Sequence, residues 1–389
     1  MQLDTRMTRR GFGVAMAGAS LVPAATPGLK KIKDITIYSN DLYYCAFPSI
    51  IRRRDGELIA AFRRAPERPL LGEKGHQHTD PNAYLVLVRS RDNGETWTKE
   101  PELIYAHPYG GSQDPCAVQL RDGSIVCTSY LWVWLNRQQG AKTKATAELG
   151  QYAFQGGYIM RSSDGAHTWQ GPFYPPAVPN HDVRDVFGKP LPAYNRGALC
   201  QGRDGRLYWA VAYGSGGDHT AIHLMISAGR GETWKYSCPI ASDSKVTFNE
   251  TSMYETPKGD LLAFARTAGF DDHAVIVRSR DGGKSFEPWQ DMGWQGHPLH
   301  AVRLEDNRVF LVYGYRHQPF GIRARVLNPE CTDFASSPEF ILRDDGSNTD
   351  LGYPWAVTLP GRRILVAYYF HTGGQYGGNR FIAGTLLSY

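Results

Sequence analysis

A short pattern occurs four times in this chain, and its repetition constrains the fold more than any other feature. The four copies are Ser90–Trp97, Ser162–Trp169, Ser227–Trp234 and Ser279–Phe286. Each follows Ser-x-Asp-x-Gly-x-Thr-Trp with at most two departures, and successive copies begin 72, 65 and 52 residues apart. Self-similarity at such intervals is typical of a modular array. Asp and Gly favour a turn, and Thr and Trp favour re-entry into a strand, so each copy predicts a β-hairpin.

A second repeat, independent of the first, predicts the number of modules. Polar or glycine-containing turns between two apolar runs occur at 54–57, 121–124, 203–206, 257–260, 305–308 and 360–363. Asp-Gly between alternating apolar runs is a strong hairpin signal. Six four-stranded modules arranged radially make a β-propeller. We therefore predict an all-β, six-bladed propeller as one domain over residues 33–389, with Asp34–Ser39 pairing with the C-terminal Phe381–Leu387 to close the ring.

Residues 1–25 precede the predicted propeller and have a different character. The pair Arg9-Arg10 is followed by Gly-Phe, by an Ala/Gly-rich apolar run to Val22 and by Pro-Ala-Ala. This order is typical of a twin-arginine export signal, and the apolar run is too short and glycine-rich for a permanent membrane anchor. We expect an export signal over 1–25, a linker over 26–32 and a periplasmic or extracellular protein without a membrane span.

Charge and cysteine content exclude several other classes of function. The net charge of +5 includes no long basic run, which argues against nucleic-acid binding. The six cysteines are scattered and show no metal-binding spacing, so buried free thiols are expected. His76 and His78 form a His-x-His pair without a third nearby ligand. We therefore predict no metal, no cofactor and a monomer.

The hairpin register predicts which residues surround the central channel. In each of the six turns given above, the count starts from the third residue of the turn. Counting back nine residues gives Phe47, Asp114, Arg196, Glu250, Pro298 and Tyr353. Counting forward seven gives Arg63, Tyr130, Ala212, Arg266, Gly314 and Tyr369. Inner strands are usually lined by small apolar residues, whereas this ring contains carboxylates, arginines and tyrosines. Either these groups form hydrogen bonds and ion pairs with one another in a water-filled channel, or they form a pocket for a polar, anionic ligand.

The octapeptide is similar to the Asp box of the sialidase superfamily, in which it has a structural role. The resemblance extends to Asn249-Glu250 at the start of the fourth blade, to Arg266 at the end of the same hairpin, to Arg323 in the fifth blade and to Gly352-Tyr353-Pro354 in the sixth. It implies that Tyr353 attacks the anomeric carbon and that Glu250 is its base. It also implies that Asp80, in the loop after the first hairpin, is the general acid.

One segment departs from the sialidase pattern. Sialidases begin the first blade with Arg-Ile-Pro, and that arginine is the first of three that bind the substrate carboxylate, whereas this chain has Ala46-Phe47-Pro48. Arg63 and Arg196 are the candidates to replace it. We predict a glycoside hydrolase that releases a terminal acidic sugar from a glycan. Its expected substrate-binding residues are Arg266, Arg323, Arg63, Arg196, Asp114, His297, His300, His76 and His78.

Two other functions are compatible with the same residues. A polysaccharide lyase or rhamnosidase-type propeller acting on uronate-containing glycans would use histidine and tyrosine together with an arginine that neutralises the carboxylate. His76, His78, His297, His300, Tyr353 and Arg266 could supply that set. A non-catalytic glycan-binding propeller would instead use aromatic platforms, for which Trp132, Trp134 and Trp294 are available.

Overall fold

The fold consists of six antiparallel sheets arranged as the blades of a β-propeller, as predicted. The computed structural model describes residues 28–73, 77–135, 143–146, 148–214, 220–373 and 379–389. The predicted export signal lies outside these residues and stays a prediction. Among the described residues, no helix has the length and apolarity needed to span a membrane.

The first strand and the first two blades run as follows. Strand β1 (Lys30–Tyr38) belongs to the last blade. Blade 1 contains β2 (Tyr43–Arg52), β3 (Leu58–Pro66), β4 (Tyr84–Ser90) and β5 (Glu102–Tyr105). Two 3-10 turns, Arg68–Leu71 and Gln77–Thr79, lie between β3 and β4. Blade 2 contains β6 (Gly111–Ser112), β7 (Cys116–Gln119), β8 (Ile125–Trp134), β9 (Glu148–Leu149), β10 (Tyr152–Ser162) and β11 (Gln170–Phe173).

The remaining blades each contain four strands. Blade 3 contains β12 (Cys200–Gln201), β13 (Leu207–Gly214), β14 (Thr220–Ser227) and β15 (Lys235–Ala241). Blade 4 contains β16 (Thr247–Glu255), β17 (Leu261–Ala268), β18 (His273–Ser279) and β19 (Gln290–Gln295). Blade 5 contains β20 (Leu299–Arg303), β21 (Val309–Tyr315), β22 (Gly321–Leu327) and β23 (Glu339–Arg343). Blade 6 contains β24 (Gly352–Leu359), β25 (Arg363–Phe370), β26 (Phe381–Ser388) and β1.

Pairing of the two chain ends closes the ring. Strand β1 lies antiparallel to β26, with Asp34 opposite Thr385, as the sequence predicted. The strand begins at Lys30, so residues 30–32, expected to be a linker, form part of the sheet. Closure by distant segments brings blades 1 and 6 into contact, so that their apolar faces bury each other, with Ile50 and Leu365 in one core cluster.

Each octapeptide repeat follows the third strand of its blade and stabilises the next turn. In the first copy, Asp92 accepts hydrogen bonds from the Thr96 amide and hydroxyl at 2.9 and 2.5 Å, and Trp97 Nε1 donates to the Gly94 carbonyl at 3.1 Å. Ser90 pairs with Leu58, which directly follows the first Asp-Gly turn. The repeats therefore lie at the same face as these turns, away from the face where the innermost strands begin.

Candidate active site

The innermost strand of each blade begins at one face of the channel, here called the channel mouth, and several of these strands are irregular there. Register shifts occur between Ala46 and Ser49 in β2, between Phe248 and Thr251 in β16, and between Gly352 and Trp355 in β24. In blade 2, Asp114 lies in the gap between β6 and β7. Bulges and gaps redirect side chains away from the sheet. Four of the residues obtained by counting back from the turns, Phe47, Asp114, Glu250 and Tyr353, lie at these interruptions.

Two of these residues have an uncommon backbone conformation. Phe47 and Tyr353 have φ angles of 57° and 53°, in the left-handed region that bulky side chains rarely adopt. Their rings contact each other edge to face at a centroid distance of 4.8 Å. Such outliers occur where the surrounding structure enforces them, and they cluster at functional sites.

Tyr353 and Glu250 form the central contact of the channel mouth. The Tyr353 hydroxyl donates a hydrogen bond to Glu250 Oε1. Arg266 Nη1 donates to Glu250 Oε2 at 2.7 Å and to the Tyr353 hydroxyl oxygen at 3.2 Å. The three side chains come from β24, β16 and β17, so blades 4 and 6 meet here across the channel.

The pKa values of Glu250 and Tyr353 are shifted so that a proton acceptor contacts a proton donor. Burial opposes ionisation of Glu250, but Arg266, Arg196 and the Tyr353 hydrogen bond together lower its pKa to about 2. Burial and the Glu250 charge raise the pKa of Tyr353, against the effect of Arg266. At neutral pH Glu250 is therefore a carboxylate and Tyr353 a phenol, which is the arrangement for base-assisted attack by a weak nucleophile.

Two further arginines lie beside the Tyr353 ring. The Arg196 guanidinium is 4.6 Å from the ring centroid and donates to the carbonyls of Tyr353 and Pro48 at 3.1 and 3.2 Å. The Arg316 guanidinium is 5.2 Å from the same centroid and donates to the Leu351 carbonyl at 3.0 Å. Together with Arg266, they make the surroundings of the phenol strongly cationic.

Arg323 does not lie beside Tyr353, in contrast to the expectation from the sialidase resemblance. Its guanidinium donates to the carbonyls of Arg343 and Pro319 and lies 4.7 Å from the Tyr315 ring centroid. Arg323 is on β22, the third strand of its blade, whereas Arg316 directly follows the second strand at the channel mouth. The fifth-blade arginine nearest to the phenol is therefore Arg316.

Arg63 and Asp114 are buried at the channel, and their side chains have no hydrogen-bond partners in the described part of the chain. Arg63 is opposite Ala46 in the sheet, its guanidinium lies 5.7 Å from the Phe47 ring centroid, and its side-chain nitrogens have no partner among the described residues. Both carboxyl oxygens of Asp114 are also without a partner there. Burial and the Glu250 charge raise the pKa of Asp114 to about 7. Buried polar groups in native proteins are nearly always paired, so these two indicate a place where water or a ligand binds.

Asp80, the expected general acid, is engaged in an ion pair. Arg68 Nε and Nη2 donate to its two carboxylate oxygens at 2.7 and 3.0 Å, and the Asn82 amide donates at 2.8 Å. The Asp80 side chain is 1% exposed. The carboxylate is thus bound within its own loop.

His78, on the same loop, is directed toward blade 6. Its Nε2 lies 3.1 Å from Asp350 Oδ1, and its ring centroid lies 5.3 Å from that of Phe47. Asp350 also accepts hydrogen bonds from the hydroxyls of Tyr44 and Tyr369 at 3.0 and 2.9 Å. His76, which the sequence grouped with His78, lies outside the described residues.

The other two predicted histidines have different surroundings. His297 Nε2 lies 3.3 Å from Asp272 Oδ1 at the channel mouth, and burial lowers its pKa to about 4. His300 accepts a hydrogen bond from the Ala356 amide at 3.2 Å and stacks on Trp355 at a centroid distance of 4.4 Å. His300 therefore lies in the wall of the channel, below the mouth.

Asp350 and Arg68 were absent from the predicted site, and Arg316 was predicted only as a neighbour of a ring position. Arg316 follows the predicted ring position Gly314 by two residues, and Asp350 precedes Tyr353 by three. Arg68 lies on the loop assigned to the general acid. For Arg316 and Asp350, the short distance in sequence to a ring position was the only available signal, because the sequence does not show which way a side chain points.

The comparisons with known proteins agree with this architecture. The family model described as "BNR repeat-like domain" matches residues 129–366, more than half of the chain. A crystal structure of a protein of unknown function from Dyadobacter fermentans DSM 18053 is 55% identical, with a TM-score of 0.89, and the match covers 93% of this chain and 100% of that chain. No curated protein sequence matches the chain.

More distant solved structures share the fold. The NanB sialidase of Streptococcus pneumoniae is 15% identical with a TM-score of 0.60, covering 92% of this chain and 69% of that one. An α-L-arabinanase of Penicillium chrysogenum, complexed with arabinobiose, is 15% identical with a TM-score of 0.61, covering 92% and 98%. At such identities the likeness concerns the fold alone. The chain belongs to the BNR repeat-like domain family, in agreement with the family resemblance that its repeats indicated.

Proposed function

We propose that this protein is an exo-acting glycoside hydrolase that releases a terminal acidic sugar with Tyr353 as nucleophile. The observation that carries the proposal is the contact between the Tyr353 hydroxyl and the ionised Glu250, with Arg266 bonded to both. A buried, hydrogen-bonded phenol beside a carboxylate is suited to nucleophilic attack because the proton has a destination within hydrogen-bond distance.

The proposed reaction has two steps. In the first, the Tyr353 oxygen bonds to the anomeric carbon while its proton passes to Glu250 and an acid protonates the departing glycosidic oxygen. In the second, water attacks the same carbon, gives a proton to the group that acted as acid, and Tyr353 recovers its proton from Glu250. Two displacements at one carbon give net retention of configuration.

The charges around the phenol support an anionic substrate. Arg266 donates a hydrogen bond to the Tyr353 hydroxyl oxygen, and the Arg316 guanidinium lies 5.2 Å from the Tyr353 ring centroid. Arg266 Nε has no partner among the described residues. A neutral tyrosine is a better nucleophile than a carboxylate toward an anomeric centre that bears its own carboxylate, since two negative groups repel. In place of the first sialidase arginine stands the buried Arg63, which is opposite Ala46 in the sheet and whose side-chain nitrogens have no partner among the described residues.

The test is turnover of an aryl α-sialoside by wild type and by Tyr353→Phe. We expect hydrolysis by wild type, loss of at least about 1000-fold in Tyr353→Phe because removing a nucleophile leaves only binding and electrostatic effects, and a folded variant. Tyr368→Phe is the matched control, because the Tyr368 hydroxyl contacts Thr385 within blade 6 instead of the channel. A trapped fluorosugar adduct on the peptide containing Tyr353 would identify the nucleophile.

Other outcomes separate the alternatives. Hydrolysis that survives in Tyr353→Phe refutes the tyrosine mechanism. Ultraviolet absorbance from unsaturated products of a uronate polymer, with no sialoside cleavage, favours a lyase. Binding of acidic glycans without any turnover favours a glycan-binding propeller.

A further inference from the structure

The loop between β3 and β4 presents a different side chain to the channel mouth from the one that the sialidase resemblance assigns. Asp80 is buried and both of its carboxylate oxygens are bound by Arg68, with the Asn82 amide as a third donor. A general acid must approach the leaving oxygen to within hydrogen-bond distance. Asp80 would have to break a bidentate ion pair, among the stronger contacts a carboxylate makes, before it could do so.

His78 on the same loop is available instead. Its side chain is 49% exposed, while Nε2 is held 3.1 Å from Asp350 Oδ1. Asp350 is itself fixed by the hydroxyls of Tyr44 and Tyr369 and by Arg380 Nε at 2.9 Å. An exposed imidazole anchored at one nitrogen has a defined orientation without being enclosed.

The charge of Asp350 determines which nitrogen of His78 is free. Burial raises the pKa of Asp350, but the hydrogen bonds and charges of His78 and Arg380 outweigh burial and lower it below the usual range. A carboxylate only accepts hydrogen bonds, so Nε2 carries the proton that Asp350 receives. Nδ1 makes no hydrogen bond within the described part of the chain, so it is the ring nitrogen that can face a substrate.

Phe47 places His78 and Tyr353 in the same part of the channel mouth. Its ring lies 5.3 Å from the His78 ring and 4.8 Å from the Tyr353 ring, measured between centroids. The segment Ala46-Phe47-Pro48, in which sialidases have an arginine, thus supplies an aromatic ring that contacts both the phenol and the imidazole.

We propose that His78, oriented by Asp350, is the acid and base of the reaction, a role that rests on the proposed function. In the first step Nδ1 gives its proton to the glycosidic oxygen as the carbon–oxygen bond breaks and the Tyr353–carbon bond forms. In the second step the neutral Nδ1 takes a proton from water as the water oxygen replaces Tyr353. Glu250 takes the Tyr353 proton in the first step and returns it in the second, so each group ends as it began.

The experiment compares His78→Gln and Asp80→Asn on two substrates that differ in their need for an acid. An aryl α-sialoside has a good leaving group, whereas sialyllactose has a sugar alkoxide that requires protonation. We expect His78→Gln to lose about 100-fold or more in kcat/KM on sialyllactose and less than about 10-fold on the aryl sialoside, since general acid catalysis typically contributes 10²–10⁴-fold. Asp80→Asn should affect both substrates alike.

Rescue gives a second readout that a structural role would not produce. Azide needs no base, so it should accelerate turnover of the aryl substrate by His78→Gln, with the sugar azide as product, and leave Asp80→Asn unchanged. Equal loss on both substrates in His78→Gln, or a leaving-group-dependent loss in Asp80→Asn, overturns the proposal. If wild type cleaves neither substrate, or Tyr353→Phe remains active, the proposed function itself fails and the role of His78 fails with it.

Discussion

Replacement of Glu250 by glutamine tests the electrostatic account of the channel mouth through both activity and stability. Glutamine keeps the size of the side chain and accepts a hydrogen bond, but it cannot take the Tyr353 proton at neutral pH. The phenol has a raised pKa, so little of it ionises without a base. We expect kcat on an aryl sialoside to fall by about 10²–10⁴-fold, the usual contribution of a general base.

The stability effect follows from the lowered pKa of Glu250. Its folded pKa of about 2, against an ordinary 4.5, corresponds to about 3 kcal/mol of folding free energy at 1.36 kcal/mol per pKa unit. A lowered folded pKa means that this contribution is complete above about pH 5 and is lost as the pH falls toward 2. By pH 3 the wild type should have lost about 2 kcal/mol of it. Glu250→Gln lacks this pH-dependent contribution.

The assay is urea unfolding of wild type and Glu250→Gln between pH 7 and pH 3, with unfolding free energies extrapolated to water. The difference between the two proteins should shrink by about 2 kcal/mol across this range. Tyr368→Phe is the control, because the Tyr368 hydroxyl contacts Thr385 and not Glu250, so this variant should follow the wild-type pH dependence. A difference that stays constant with pH would refute the argument that Arg266 and Arg196 keep Glu250 ionised.

Three further outcomes are expected. Arg316→Ala should raise KM for an anionic substrate by about 10-fold or more, as loss of a charge-assisted contact does, whereas Arg323→Ala should leave KM unchanged in steady-state kinetics. The raised pKa of Asp114, about 7 against 3.8, contributes stability that is present below about pH 4 and lost as the pH rises through 7, so urea unfolding of Asp114→Asn should lack this decline. Asp164→Ala should lower the unfolding free energy by about 1–2 kcal/mol through lost turn hydrogen bonds and leave kcat unchanged.

The hairpin turns made the ring of channel residues predictable. A turn of defined length sets the pairing register of its two strands, and side chains alternate along a strand, so a fixed count from each turn reaches the same level of every blade. Glu250 and Tyr353 are more than one hundred residues apart in the chain, yet both follow from this count. Their contact then results from ring closure, which the repeats also predicted.

The same counting did not predict what the loops and strand ends do. Asp80 was chosen because it is the aspartate of its loop, but the 3-10 turn that carries Arg68 brings a guanidinium onto it. Arg323 matched the expected blade, but its strand directs it to backbone carbonyls. Side-chain partners outside regular strands depend on three-dimensional packing, for which no repeat provides a register.

The sequence by itself determined the six-bladed fold and the closure of the ring, because the same turn chemistry is repeated along the chain. The count from the turns placed Glu250 and Tyr353 in the channel ring, and the sialidase resemblance implied that this phenol and this carboxylate act as a pair. Only the tertiary structure decided which arginines surround Tyr353 and that Arg63 and Asp114 are buried without hydrogen-bond partners among the described residues. It also decided that Asp350 contacts His78 beside Phe47, in the segment where sialidases have an arginine. Those features depend on contacts between blades. The burial and the charge interactions that stabilise these contacts exist only once the ring has closed.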